Sequence, residues 1–535
     1  MPRLLLVSLV LAIALVRPAL AADEKKPARP AIMVLGLAEG PPSGPAGFLL
    51  VLRTLGALDA IGGANVFHPK QVRAVLESHG DRFAAYPARR RVEEVGKLVG
   101  ADWAIAVGFT ALKPNVGIAI DLTSLVGSYS ASKTIEAPTL VAALDQVPGT
   151  LAVMLDAQHV IQGAAVPKDV KIAPLSSNED ALLRYAECAE TLNRQPIGIR
   201  EPVLVDAMKL DRAVAACEFA VQADKGFFDA KAALGLAYAL KDNQEKAERW
   251  LKEAKSSPIL LGDYAIAKFW IISRFYDRNR AIEPLQEATA KNPGFLLARG
   301  YLGDALTILE RYDDALAVFN AYLEAVPRQP WVMARIGLVS AKRGDVRAAV
   351  DWSKKALAIA PNDPELLLEM ASREVDAKDY KAAEVELQKI LALGNARGEV
   401  HLRLGYVYLE TNRLGPAEAE LERAIEKSTR VLEWRTRGRA RYDLAKMWMR
   451  AGLESRALEQ LKLAVAEGYR DWKKIDDDPD LKPLQSDPKF KSVKGGNPAR
   501  TYLPKYSSPY KLDLDTAEIS SAGPESPKTT VVFHF

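Results

Sequence analysis

The sequence predicts a mainly α protein, a solenoid of paired helices preceded by a smaller α+β domain. Three observations predict it. From Leu234 onward, small residues recur in one phase every thirty-four positions. Before residue 160, short apolar runs alternate with helical patterns and then follow one another as a meander. With 535 residues, 49% hydrophobic and 26% charged, the chain is globular in composition and too long for one compact core.

At the amino terminus Arg3 precedes the apolar run Leu4 to Val16, then Ala19-Leu20-Ala21 and the polar Asp23-Glu24-Lys25-Lys26. A positive start, an apolar stretch too short to span comfortably and small residues at a cleavage site are the pattern of a secretory signal. Residues 1–21 are read as a signal peptide and 22–30 as a linker. No cysteine follows the expected cut, which disfavours a lipoprotein. No later run of eighteen apolar residues occurs, so no transmembrane segment is expected in the mature chain. The 72 basic and 68 acidic residues give +4, and loss of Arg3 and Arg17 leaves 70 against 68. That balance gives no reason to expect a nucleic-acid partner.

Residues 31–160 read as the α+β domain. Ala31 to Leu37 is an apolar strand, Phe48 to Leu58 a helix, Asn65 to His68 a short strand and Pro69 to Val99 mostly helical. Trp103 to Leu112, Val116 to Leu125 and Tyr129 to Ile135 follow as strands joined by Lys113-Pro114-Asn115 and Gly127-Ser128 turns, and Thr139 to Ala157 closes as an amphipathic helix. The Gly100-Ala101-Asp102 turn, Trp103, Gly108 and the meander resemble the TolB amino-terminal and curli-secretion type of domain. The resemblance implies a role in envelope assembly or protein contact and carries no catalytic residue across.

After a linker at 161–176, residues 177–494 carry the repeat. Its units show Leu234-Gly235 with Ala247, Leu251 and Ala254; Phe269 with Ala281, Leu285, Ala288 and Pro293; and Leu302-Gly303 with Ala315, Phe319 and Pro327. Ile336-Gly337 with Ala349, Ala356 and Pro361, Met370-Ala371 with Ala383 and Leu387, and Leu404-Gly405 with Ala417, Leu421 and Ala424 complete six units in one phase. The eighth and twentieth places are small because the two helices of a unit cross there. The large residue at place 24 and the Ala at place 27 are expected to pack on the next unit's first helix. Proline near place 32 ends the second helix, since it lacks an N–H. The pattern resembles the tetratricopeptide repeat family.

The ends are less regular. A seventh unit with Ala445, Ala457, Leu461 and Ala464 is displaced by six residues inserted around Ser428 to Arg437, and Glu179 to Leu192 with Ala213, Cys217 and Ala220 make a degenerate eighth. Asp471 to Val493 reads as a cap. Cys188 and Cys217 fall in one helical hairpin, where they either bridge or stand as two buried thiols. In the tail, residues 495–535, only Thr529 to Phe535 has strand propensity, suited to adding to a sheet edge.

No chemical constellation emerges. His68, His79, His159, His401 and His534 make no metal-ligand spacing, and Gly127 to Thr134 departs from a phosphate loop at Ser132. The chain is read as non-enzymatic, with no cofactor or metal. In tetratricopeptide arrays places two, five, nine and twelve of the first helix face a groove. The resemblance places Ile266, Trp270, Trp331, Leu338, Leu368, Leu402, Tyr406 and Tyr442 there. It implies an apolar, aromatic surface for an amphipathic helix or extended segment. Arg435, Arg437, Arg439 and Arg441 crowd the insertion, either as an anionic contact or as a solvated helix face. The functional expectation is an exported, periplasmic scaffold holding a protein or peptide partner, an envelope component, in the groove. The alternative is a small-ligand or cell-wall-fragment binder using residues 31–160.

Overall fold

The computed structural model describes residues 29–37, 45–78, 91–161, 175–193, 203–205, 207–241, 243–254, 278–428, 434–469, 471–495 and 530–532, with isolated residues 167, 170, 172, 268 and 272. The expected signal segment, His79, Ile266 and Trp270 lie outside them.

The amino-terminal domain holds strands β1 (Ala31–Gly36), β2 (Asn65–Phe67), β3 (Trp103–Ala111), β4 (Val116–Ser124) and β5 (Ser130–Ala137), in the sheet order β2-β1-β3-β4-β5. β1 runs parallel to β2 and β3, and the last three strands form the antiparallel meander read from the sequence. Parallel neighbours require helical crossovers, and these are α1 (Pro45–Ile61) and the pair α2 (Pro69–Ser78) and α3 (Val92–Val99). The closing helix α4 (Leu140–Ala157) is capped by the Thr139 hydroxyl, which accepts from the Ala142 amide. By length and composition α4 is long and apolar enough to cross a membrane, but its apolar side is buried here against the sheet and α1.

Paired helices follow: α5 (Glu179–Asn193) with α6 (Ala207–Ala223), α7 (Phe228–Leu240) with α8 (Gln244–Glu253), and then α9 (Arg278–Lys291). The regular stretch comprises α10 (Leu296–Ile308) with α11 (Tyr312–Ala325), α12 (Pro330–Lys342) with α13 (Val346–Ile359), α14 (Pro364–Asp376) with α15 (Tyr380–Ala392), and α16 (Gly398–Glu410) with α17 (Leu414–Lys427). α18 (Trp434–Arg450) and α19 (Glu454–Ala466) form the displaced last pair, and part of the insertion lengthens α18 at its start.

The units from α10 to α19 turn between their helices by one device. Place 15 lies in the left-handed region at Glu310, Gly344, Lys378 and Asn412, spaced by thirty-four, and again at Gly452 after the insertion. The next amide closes back onto the carbonyl five residues earlier, as in Asp345 to Ser340 (2.9 Å), Asp379 to Glu374 (2.8 Å) and Leu453 to Trp448 (2.8 Å). Asp345 and Asp379 then cap the second helix through their side chains. Second helices α9, α11 and α13 stop two residues before Pro293, Pro327 and Pro361, as proline's missing donor requires.

Place 8 is small for the expected reason. A Cβ on Gly303 would lie 2.5 Å from the Phe319 ring, and one on Gly405 2.7 Å from Leu421 Cγ. These contacts add to the expectation: the large residue at place 24 sits over the glycine of its own unit, because that is where the two helices cross. The expected cap forms α20 (Trp472–Asp477), a 3-10 turn at Lys482–Ser486 and α21 (Pro488–Gly495). Ile475, Leu481, Leu484 and Phe490 seal the core exposed by the last pair. The terminal strand β7 (Thr530–Val532) pairs antiparallel with β6 (Val203–Val205), inside the connection between α5 and α6.

Candidate partner-binding groove

The two domains share one core. α1 is buried from Ala46 to Leu58 on nearly every side, because it lies between the sheet and α5. Its Arg53, 2% exposed, donates to Asp145 Oδ1 (3.1 Å), the Leu144 carbonyl (3.2 Å) and the Ile172 carbonyl (3.1 Å). Two carbonyls and the exposed Asp145 carboxylate make this buried cation tolerable, although burial still lowers its pKa despite Asp145. Further along, the β2 edge is closed by the solenoid itself. The Val66 amide donates to the Gly294 carbonyl (3.0 Å), and Val66 forms a parallel bridge with Phe295. The Asn65 side chain donates to the Ala325 carbonyl (3.1 Å), Gln71 to the Tyr322 hydroxyl (3.0 Å), and Gln329 to the Val99 carbonyl.

This docking covers part of the surface that repeat geometry offers to partners. Asp229, Ala232 and Leu236, at places 2, 5 and 9 of the α7 unit, face Phe48, Leu52, His68 and Lys70 across a small crevice. The sequence showed this only indirectly, as a helix from Phe48 to Leu58 with too little polar surface for one exposed side. At the other end the cap covers the last unit. Tyr442, expected in the groove, is fully buried: it stacks on Tyr469 (4.8 Å) and its hydroxyl donates to Asp478 Oδ2. Lys446 pairs with Asp478 (3.4 Å), and Arg450 with Asp480 (2.8 Å). Burial and the nearby Asp478 carboxylate raise the Tyr442 pKa, keeping the phenol protonated.

Between these covers lie the first helices α12, α14 and α16. Trp331 is half-buried, edge-on to Tyr322 at 5.3 Å, and its ring is 2.9 Å from where a Cβ on Gly300 would stand. It is thus a packing residue between units with part of its ring free. Leu338 and Tyr406 are also half-buried, whereas Leu368 and Leu402 are nearly closed off at 9% and 8% exposure. Tyr406 lies beneath the Arg439 guanidinium (5.7 Å), and burial, with Glu410, Tyr380 and Asp443 nearby, pushes its pKa up to about 12.

The arginines of the insertion are engaged within the fold. Arg439 pairs with Asp443 (3.0 Å), Arg441 with Glu467 (2.9 Å), and Arg437 donates to the Ser428 carbonyl (2.6 Å) while approaching Glu467 (3.6 Å). Arg435 is exposed at the start of α18 and also makes a contact within the chain. Cys188 and Cys217 form a disulfide, with Cα atoms 5.5 Å apart, fastening α5 to α6.

Family models described as tetratricopeptide repeat match residues 277–330 and 374–436. A search of curated proteins gave no match. Among solved structures, a thermophilic TPR protein of Thermus thermophilus is 21% identical, covering 37% of this chain and 98% of that one at a TM-score of 0.30. Yeast Tom70 is 14% identical, covering 66% of this chain and 70% of that one at 0.41. YrrB, described as a TPR protein with an unusual peptide-binding site, is 19% identical, covering 35% of this chain and 93% of that one at 0.28. By the matched models and the recurring geometry of place 15, the chain carries tetratricopeptide repeats.

Proposed function

We propose that the protein is an exported, non-enzymatic scaffold that holds a protein or peptide partner against α12, α14 and α16, within a cell-envelope assembly. The observation that carries this reading is the uneven cover of the repeat surface. The α+β domain lies over the α7 unit and the cap over Tyr442, while Leu338 and Tyr406 between them keep part of their surface. Repeat arrays use such surfaces for extended or helical segments. The likeness of residues 31–160 to TolB and curli-secretion domains, the signal-like start and the disulfide support an oxidising envelope compartment.

Site-specific photocrosslinking in intact cells tests the reading. A photoreactive residue at Leu338 or Tyr406 is expected to capture one dominant envelope protein, and one at Val385, exposed on α15, to capture none. With the probe at Leu338, capture should vanish in a folded Tyr406→Ala variant, and with the probe at Tyr406, in a folded Leu338→Asp variant. Equal capture at Val385, or capture that survives both of these substitutions, sinks the groove assignment. Mass spectrometry of the recovered protein tests export separately, with Ala22 expected as the first residue.

A further inference from the structure

The crevice between the α+β domain and the α7 unit has the make-up of a small-molecule site, independent of the groove reading. Apolar walls come from both sides, with Phe48 and Leu52 on α1 and Leu192 and Leu236 on the solenoid. The cavity volume is about 40 Å³, room for roughly two or three small heavy groups, and it is partly open to solvent, which leaves space for the rest of a ligand. Asn193, at the end of α5, lines this space and is 7% exposed. Its Oδ1 is buried without a hydrogen-bond partner among the described residues. An unmet acceptor in an apolar wall costs stability and is rare in native cores.

The other polar groups restrict what can enter. Lys70 Nζ is already held by the Leu192 carbonyl (3.1 Å), and His68 Nδ1 accepts from the Lys70 amide (3.2 Å). Asp229, 4% exposed, lies within the field of Arg53. A carboxylate entering here would face two acceptors, Asn193 Oδ1 and Asp229, beside Lys70, and an ammonium would face Lys70 beside those acceptors, so the lining offers neither ion a site of one sign. A neutral group that donates a hydrogen bond to Asn193 Oδ1 is buried without bringing in an unbalanced charge.

We propose that this crevice binds a small uncharged molecule of the primary-amide or alcohol class, its N–H or O–H donating to Asn193 Oδ1 and its compact apolar body lying between Leu52 and Leu236. Such a ligand would touch α1 and α7 at once, and would therefore hold the α+β domain on the repeat surface. The site belongs to the assembled chain and not to residues 31–160 alone.

The test uses the full chain with isobutyramide, isobutanol and isobutyrate as probes, followed by saturation-transfer NMR and by the shift of the thermal midpoint. Isobutyramide and isobutanol are expected to bind in the millimolar range, at least tenfold more tightly than isobutyrate, which has the same body and no donor at neutral pH. Asn193→Leu removes the acceptor and Leu236→Phe fills the space from the opposite wall, and each should weaken amide binding at least tenfold. Equal binding of amide and carboxylate, undiminished binding in both variants, or no binding of any probe at 100 millimolar would each overturn the proposal. The probe comparison needs only the unaltered protein, so it decides even if a variant fails to fold.

Discussion

Gln71, on the second helix of the α+β domain, donates its side-chain amide to the hydroxyl of Tyr322, 251 residues later in the solenoid, at 3.0 Å. Tyr322 is fully buried, and burial raises its pKa well above the ordinary phenol value, so the hydroxyl is protonated at any physiological pH. Tyr322→Phe keeps the ring that packs on Trp331 and leaves the Gln71 amide without this partner. The expected cost is about 1–2 kcal/mol, and Gln71→Leu in the same background should restore part of it. Urea unfolding of the four proteins of this cycle measures both. A null effect of Tyr322→Phe would mean that the two domains do not rely on this bond.

Place 15 of the repeats predicts a gain of stability. Lys378 holds φ at 60° where its neighbour in phase, Gly344, holds 94°. Side chains other than Gly and Asn resist this region, so Lys378→Gly should stabilise the protein by about 1 kcal/mol. Gly344→Val should destabilise it by more. A thermal midpoint that falls on Lys378→Gly would show that the turn relaxes differently in solution.

Glu374 predicts a pH dependence. Burial, with Glu386 and Asp379 close by, pushes its pKa up to about 7, and among the described residues its Oε2 has no hydrogen-bond partner. The folded state therefore holds this proton more tightly than the unfolded chain. Stability is greatest below the unfolded pKa and falls as pH rises from about 4.5 to 7, by about 1–2 kcal/mol after allowance for solvent screening. Glu374→Gln should remove that slope and leave the variant the more stable form at pH 8. Denaturant midpoints of both proteins between pH 4.5 and pH 8 check the sign.

The disulfide predicts a redox effect confined to stability. Cys188 and Cys217 are 29 residues apart, and closing a loop of that length stabilises a fold by about 3–4 kcal/mol in the chain-entropy model. Cys188→Ser/Cys217→Ser, or reduction of the unaltered protein, should lower the unfolding midpoint by a corresponding amount. Identical midpoints with and without reductant would show that the thiols are not bridged in solution.

The sequence by itself determined the repeat, because its constraints are local. Two helices crossing at a glycine force a small residue at Gly303 and Gly405, and a left-handed turn recurs wherever the unit recurs. The strand meander and its turns were legible in the same way, from alternation and breakers between Trp103 and Ile135. Tertiary structure alone decided which repeat surfaces remain available. Nothing near Asp229, Ala232 or Leu236 in the sequence says that Phe48 and Leu52 will cover them, and nothing near Tyr442 points to Asp478. Cys188 and Cys217 were recognisable as partners in one hairpin, but only the approach of α5 to α6 settled their bond. These outcomes depend on contacts across tens or hundreds of residues, where apolar area is buried without directional preference. A residue pattern therefore shows that a face is apolar, and the packed chain decides whether its own segments or another molecule cover it.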